Sequence, residues 1–104
     1  MSARKPKFEV PHPGDLLRET LEELGVSRRR FAAASGIDPS VVSGICNRRR
    51  GVSAETAIRI ARTLGTDAQS WLNLQAAFDL DKAERARGAE FSRISVLPEL
   101  APAA

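Results

Sequence analysis

An all-α fold of five helices is what this chain predicts, and three observations carry the prediction. Aromatic residues make up 5% of the 104 residues and tyrosine is absent, so the core must be built from Leu, Ile, Val and Ala, which suits close-packed helices. Apolar residues recur at three- and four-residue intervals along successive stretches, the spacing of one helical face. Gly25, Gly36 and Gly65 each follow such a stretch, where a residue that tolerates positive φ ends a helix cheaply. No internal repeat, sustained heptad or glycine-rich phosphate loop is present. The length supports one modest core, so short connections should gather the helices into a single domain.

Taken in order, residues 1–14 (MSARKPKFEVPHPG) hold three prolines and no periodicity, and read as a mobile basic arm ending in a turn. A first helix is expected over Asp15–Leu24. Leu16, Leu17, Thr20, Leu21 and Leu24 fall on its buried face, and Glu19, Glu22 and Glu23 on the opposite one. Ser27 then offers an N-cap, Phe31, Ala32 and Ser35 follow at helical spacing, and Gly36 stops the second helix. Asp38 caps a third helix with Pro39 at its first position, where a missing N–H costs nothing. A fourth, Ala54–Leu64, is capped by Ser53 and carries Ala57, Ile58, Ile60, Ala61 and Leu64 as its apolar stripe. Thr66 followed by Gln69 reads as a capping box for a fifth helix. Neither proline nor glycine interrupts the chain from Asp67 to Arg87, so that helix is expected to be long, with Gly88 its first natural break. Residues 89–104 read as a brief continuation through Phe91 and Ile94, or an extended stretch at Ser92–Leu97, with a frayed Pro-Ala end. The expected organisation is an arm over 1–14, a helical domain over 15–80, and a helical extension with a tail over 81–104.

The stretch SRRRFAAASGIDPSVVSGICNRRR, Ser27 to Arg50, organises the rest. Val42 and Ile45 give its second helix a buried face, leaving Ser40, Ser43, Gly44 and Asn47 small and polar on another. Two short helices joined by a glycine turn form a helix-turn-helix, in which the second helix enters the DNA major groove. Charge agrees with this reading. The chain holds 16 Lys and Arg against 13 Asp and Glu, yet Ser27 to Gly51 alone contains six arginines and one aspartate. A cluster of arginines at each end of one reading helix suits phosphate better than bare solvation.

Other function classes find little support. A single cysteine excludes an internal disulfide, and no apolar run approaches the ~18 residues that cross a bilayer. The basic start has no apolar segment of a secretory leader, so a soluble cytoplasmic protein is expected. His12, the lone histidine, has no partner at metal-ligand spacing, and no nucleophile–base pair or cofactor motif occurs. No metal, cofactor or catalytic residue is expected, and the chain reads as a non-enzyme. Cys46, beside Ile45 in the third helix, is expected to pack rather than to act as a redox switch.

Ser27, Phe31, Ala32, Gly36, Ile37, Val42 and Ser43 resemble the framework of the phage and bacterial repressor family. The likeness narrows with His12-Pro13-Gly14, Gly51-Val52-Ser53-Ala54-Glu55, Ala61-Arg62-Thr63-Leu64-Gly65-Thr66, Trp71-Leu72-Asn73-Leu74-Gln75 and Asp79-Leu80. Together, over about residues 11–94, these resemble the HigA-type antitoxins of bacterial addiction modules, the VapI-like branch of that family. The resemblance implies a repressor-like helix-turn-helix domain with an extended C-terminal helix. It also implies a homodimer on operator DNA that autorepresses its promoter and neutralises a small basic RelE/HigB-like toxin, one that cleaves messenger RNA. Three departures stand out. Arg28 replaces a common Gln, Asn47-Arg48-Arg49 lacks the helix-ending glycine of a common Asn-Gly-Lys, and Gly44 stands where many relatives carry arginine.

On this reading Ser40, Val41, Ser43 and Asn47 are the candidate base readers: hydroxyls accept either sign of partner, Asn addresses adenine, and Val meets a thymine methyl. Arg28, Arg48, Arg49 and Arg50 are assigned to phosphates. Trp71, Leu74 and Phe78 form either core or the dimer seam. Two alternatives stay open: a stand-alone repressor without a toxin, and a protein-interaction module that no longer reads an operator.

Overall fold

The computed structural model describes residues 10–102, and its five helices are α1 (Pro13–Leu24), α2 (Arg28–Ser35), α3 (Pro39–Cys46), α4 (Ala54–Leu64) and α5 (Ala68–Phe91), followed by a 3₁₀ turn at Pro98–Leu100. The basic arm expected over 1–14 lies mostly outside the described residues. α1 begins two residues before the expected Asp15. Its N-cap is His12, whose Nδ1 accepts from the Gly14 amide at 2.9 Å while the Asp15 carboxylate accepts from the His12 amide at 3.1 Å. This is a reciprocal capping box built on an unusual capping residue. His12 is only 3% exposed, and the edge of its ring meets Phe78 of α5 with centroids 4.8 Å apart.

Ser27, Asp38 and Ser53 cap α2, α3 and α4 as their positions predict, each side chain accepting an amide of the first helical turn. The cap of α5 differs from expectation. Asp67 accepts from the Ser70 amide, and the Thr66 hydroxyl instead accepts from the Trp71 indole N–H at 2.9 Å. Thr66 thereby satisfies the one polar atom of a buried Trp.

The core is one cluster centred on Leu17, Leu21, Phe31, Val42, Ile45, Ile60 and Trp71, all nearly inaccessible to solvent. Fully burying side chains of this size stabilises by roughly 1.5–3 kcal/mol each. α1 and α2 pack against α3, α4 packs against α2, and α5 crosses α4 and α1. Three residues expected inside are substantially exposed: Leu16, Leu24 and Ile58 sit at the margins of their helices' buried faces. The apolar stripe is wider than the surface available to cover it.

α1 and α3 meet closely. A β-carbon added at Gly14 would stand 1.7 Å from the Ile45 carbonyl oxygen, so no other residue fits where the start of α1 abuts the end of α3. At the far end, α5 runs out of the body and gives the molecule a long dimension of 57 Å. The helical geometry breaks at Arg87 (φ −138°, ψ 23°), next to the expected break at Gly88.

Candidate nucleic-acid interface

α2 and α3 form the helix-turn-helix, and side chains from three other helices hold it. The turn between them is fixed at Ser35, whose hydroxyl oxygen accepts from the Ile37 amide at 3.3 Å. Arg59 of α4 reaches over Gly36 and donates to the Ser35 carbonyl at 3.2 Å. Within α3, Val42, Ile45 and Cys46 face the core. The opposite side presents Ser40 and Asn47 to solvent, with Ser43 and Gly44 partly exposed between them.

The candidate base readers are not equivalent. The Ser40 hydroxyl donates to Asp38 at 2.6 Å, so its remaining capacity is as an acceptor. That bond leads the interactions holding the Asp38 carboxyl below the usual carboxylate range. Val41 is half-buried against the edge of the core. The Asn47 side-chain oxygen accepts from Arg28 Nη1 at 3.3 Å, leaving its amide N–H groups outward. That contact joins the start of α2 to the end of α3 and brings together one expected phosphate ligand and one expected base reader.

The four arginines divide by environment. Arg28 and Arg49 present their side chains at the α2–α3 surface. Arg48, expected at a phosphate, is partly exposed and pairs with the start of α1. Its Nε donates to Asp15 Oδ1 at 2.9 Å and its Nη2 to Oδ2 at 2.6 Å, a bidentate pair across 33 residues of chain. Arg48 has φ +62°, the only positive value at a non-glycine among the described residues. It occupies the left-handed turn that a glycine would take without the cost of about 1 kcal/mol borne by a β-carbon. The ion pair offsets that cost. The Arg48 hydrogen bonds are the largest influence holding the Asp15 carboxyl below its ordinary value.

Beyond Arg48 the chain is pinned twice more. The amides of Arg49 and Arg50 both donate to the Gly44 carbonyl, at 2.7 and 3.1 Å. The Val52 amide donates to Gln75 Oε1 of α5 at 2.7 Å. The segment trailing α3 is therefore tied to α1 by Asp15 and to α5 by Gln75. Neither tie is local in sequence. In the sequence Asp15 only begins the first expected helix, and Gln75 only ends the Trp71–Gln75 run.

The remaining sites are structural. Cys46 is 1% exposed, and burial pushes its thiol pKa up, which leaves an inert packing residue. Burial likewise lowers the His12 pKa, against the opposing pull of Asp15. Among the described residues no group of His, Cys, Asp or Glu is arranged to hold a metal ion. No helix there is long and apolar enough to cross a membrane. Trp71 belongs to the core, whereas Leu74 and Phe78 are half-buried at its edge.

The family described as helix-turn-helix matches residues 17–71, which spans the motif and the helices that brace it. Virulence-associated protein I of Dichelobacter nodosus is 46% identical over 88 residues, 82% of either chain. The antitoxin HigA of Pseudomonas aeruginosa, solved with the higBA promoter, superposes with a TM-score of 0.81 at 37% identity, covering 86% of this chain and 99% of its own. The chain belongs to the HigA-type, VapI-like family of helix-turn-helix proteins. Another solved relative, the antitoxin GraA in complex with its operator, is 39% identical with a TM-score of 0.80, covering 91% of this chain and 98% of that one. The HigA-type framework explains the sequence His12-Pro13-Gly14 physically: a cap, a first-turn proline and the one residue small enough to meet Ile45.

Proposed function

We propose that this HigA-type protein is an antitoxin that binds operator DNA as a homodimer, represses its own promoter and neutralises a small basic RelE/HigB-like toxin. The observation that carries the reading is α3 itself. Its apolar side is fully committed to the core, its small polar side faces out, and guanidinium groups border it, on a body similar along most of its length to promoter- and operator-bound relatives.

In this reading Arg28 and Arg49 contact phosphates, while Ser40, Ser43, Asn47 and the exposed part of Val41 approach base edges. Arg48 acts as a brace. A dimer would place two copies of α3 about 34 Å apart, one duplex turn. Leu74, Phe78 and the exposed Leu80 of α5 supply an apolar strip for that contact. The exposed Glu19, Glu22 and Glu23 of α1 offer an acidic face to a basic partner. The protein acts by binding, not by catalysis, and works in the cytoplasm.

Gel-shift titration on the DNA upstream of its own gene, at two salt concentrations, tests the operator half of this reading. Binding should weaken steeply with salt, by a slope near 0.9 per neutralised phosphate, and Arg49→Ala should flatten it by about one per protomer. Binding that fails to prefer that DNA over random duplex would overturn it. Copurification with the product of an adjacent reading frame tests the toxin half.

A further inference from the structure

Gly44 sits in the middle of the outward side of α3, one turn after Ser40 and three residues before Asn47. Its missing side chain does not leave a gap. A β-carbon built there would lie 3.0 Å from both Cγ and Cδ of Arg50 and 3.5 Å from its Cβ. The methylene stem of Arg50 therefore lies across the helix at the place where residue 44 would project. The backbone it starts from is fixed: its own amide is bonded to the Gly44 carbonyl, and Val52 is held by Gln75. Arg50 is exposed, and its charge acts, as a minor influence, on the Asp38 carboxyl that caps α3.

A guanidinium carried on the outward side of a groove-binding helix meets base edges, whereas phosphates lie at the groove's borders. Its planar fork matches the O6 and N7 acceptors of guanine. The neighbouring hydroxyl of Ser40 already donates to Asp38, and Ser43 is small, so neither offers a comparable donor pair. We infer that Arg50, seated over Gly44, is a sequence-reading residue of α3 that selects a guanine in each half-site, not a phosphate contact. The inference rests on the operator-binding reading above and assigns its specificity. On it, the glycine at position 44 serves to seat a side chain that arrives from six residues downstream.

The test is selection of duplexes from a randomised library with the full chain and its R50A, R50K, G44A and R49A variants. Salt titrations on the selected and scrambled duplexes accompany it. The wild type should recover an inverted pair of guanines. R50A should lose that preference, with the ratio of selected to scrambled affinity falling about 10-fold or more. R50K should lose most of it, since an ammonium lacks the fork. G44A keeps every charge and favours the helix, so it should fold and retain the wild-type salt slope while its methyl group shifts the Arg50 stem by a few tenths of an ångström and weakens the guanine preference. R49A should bind all duplexes more weakly and keep the preference. Equal losses on both duplexes for R50A would overturn the inference while leaving operator binding intact, and so would a G44A protein whose guanine preference is unchanged. A wild type that selects no sequence would overturn the operator reading and this inference with it.

Discussion

The body between His12 and Gln75 and the stretch beyond it are held by different forces. Each of the first four helices contributes several fully buried side chains, whereas α5 buries Trp71 and nothing after it. Past that point, apart from the contact of Phe78 with the His12 ring, its links include short-range pairs on its own surface: Gln75–Asp79 at 3.0 Å, Arg85–Asp81 at 2.7 Å and Arg87–Glu90 at 2.7 Å. Such pairs add a few tenths of a kcal/mol each. Leu80, Ile94, Val96, Leu97 and Leu100 stand exposed in the same stretch. The residues that aim the DNA-facing surface are thus all anchored in the tightly packed part. The second part carries apolar surface that no other described residue covers.

Four variants sharpen or break that contrast. Gly14→Ala should be the most damaging, because its methyl group would collide with a backbone carbonyl that cannot rotate away. Overpacking of this kind costs about 3 kcal/mol or more, read as a large fall in the urea midpoint. A Gly14→Ala protein of near wild-type stability would show that α1 and α3 are not packed so closely. Asp15→Asn should follow, at about 1–2 kcal/mol, since Arg48 would lose the charge that holds its turn. The same pair sets an acid limb. The Asp15 pKa is depressed in the folded state, so its contribution is present above the ordinary carboxylate value near 4 and is lost as pH falls through the folded value. Unfolding midpoints for wild type and Asp15→Asn should converge there.

His12→Asn keeps a capping side chain and removes the titration. With a lowered folded pKa, neutral His12 contributes fully above about pH 6.5, and that contribution fades as the pH drops below it towards the folded value. The variant should therefore show a flatter stability profile between about pH 7 and 5 than the wild type, by urea titration at each pH. Parallel profiles would mean His12 titrates as it does in the unfolded chain. The smallest effect belongs to the distal helix. Arg85→Ala should change the unfolding midpoint by no more than about 0.5 kcal/mol. A larger loss would show that distal α5 is an integral part of the body.

Much of this contrast was legible in the chain. Ser27, Asp38 with Pro39, and Ser53 mark helix starts through local chemistry, and the structure uses all three. Val42 and Ile45 gave the buried side of α3, and the absence of glycine before Gly88 gave the length of α5. Relations between distant segments were not legible. His12 caps a helix although histidine seldom does, because Phe78 supplies the cover that lets its ring be buried. Arg48 reads as one of three equivalent arginines until Asp15, 33 residues earlier, is brought beside it. Leu16, Leu24 and Ile58 lie on apolar faces by periodicity, but periodicity says nothing about where the neighbouring helix ends. The seating of Arg50 over Gly44 needed the turn geometry that Arg48 creates.

That turn has a further consequence. A glycine would hold a left-handed corner by its own permissiveness, under any solvent condition. Here the corner is made by an arginine clasped to a carboxylate, so its rigidity is conditional on ionisation. Acidification would slacken the segment that carries Arg49 and Arg50 through Asp15, a residue remote from the reading helix in the chain.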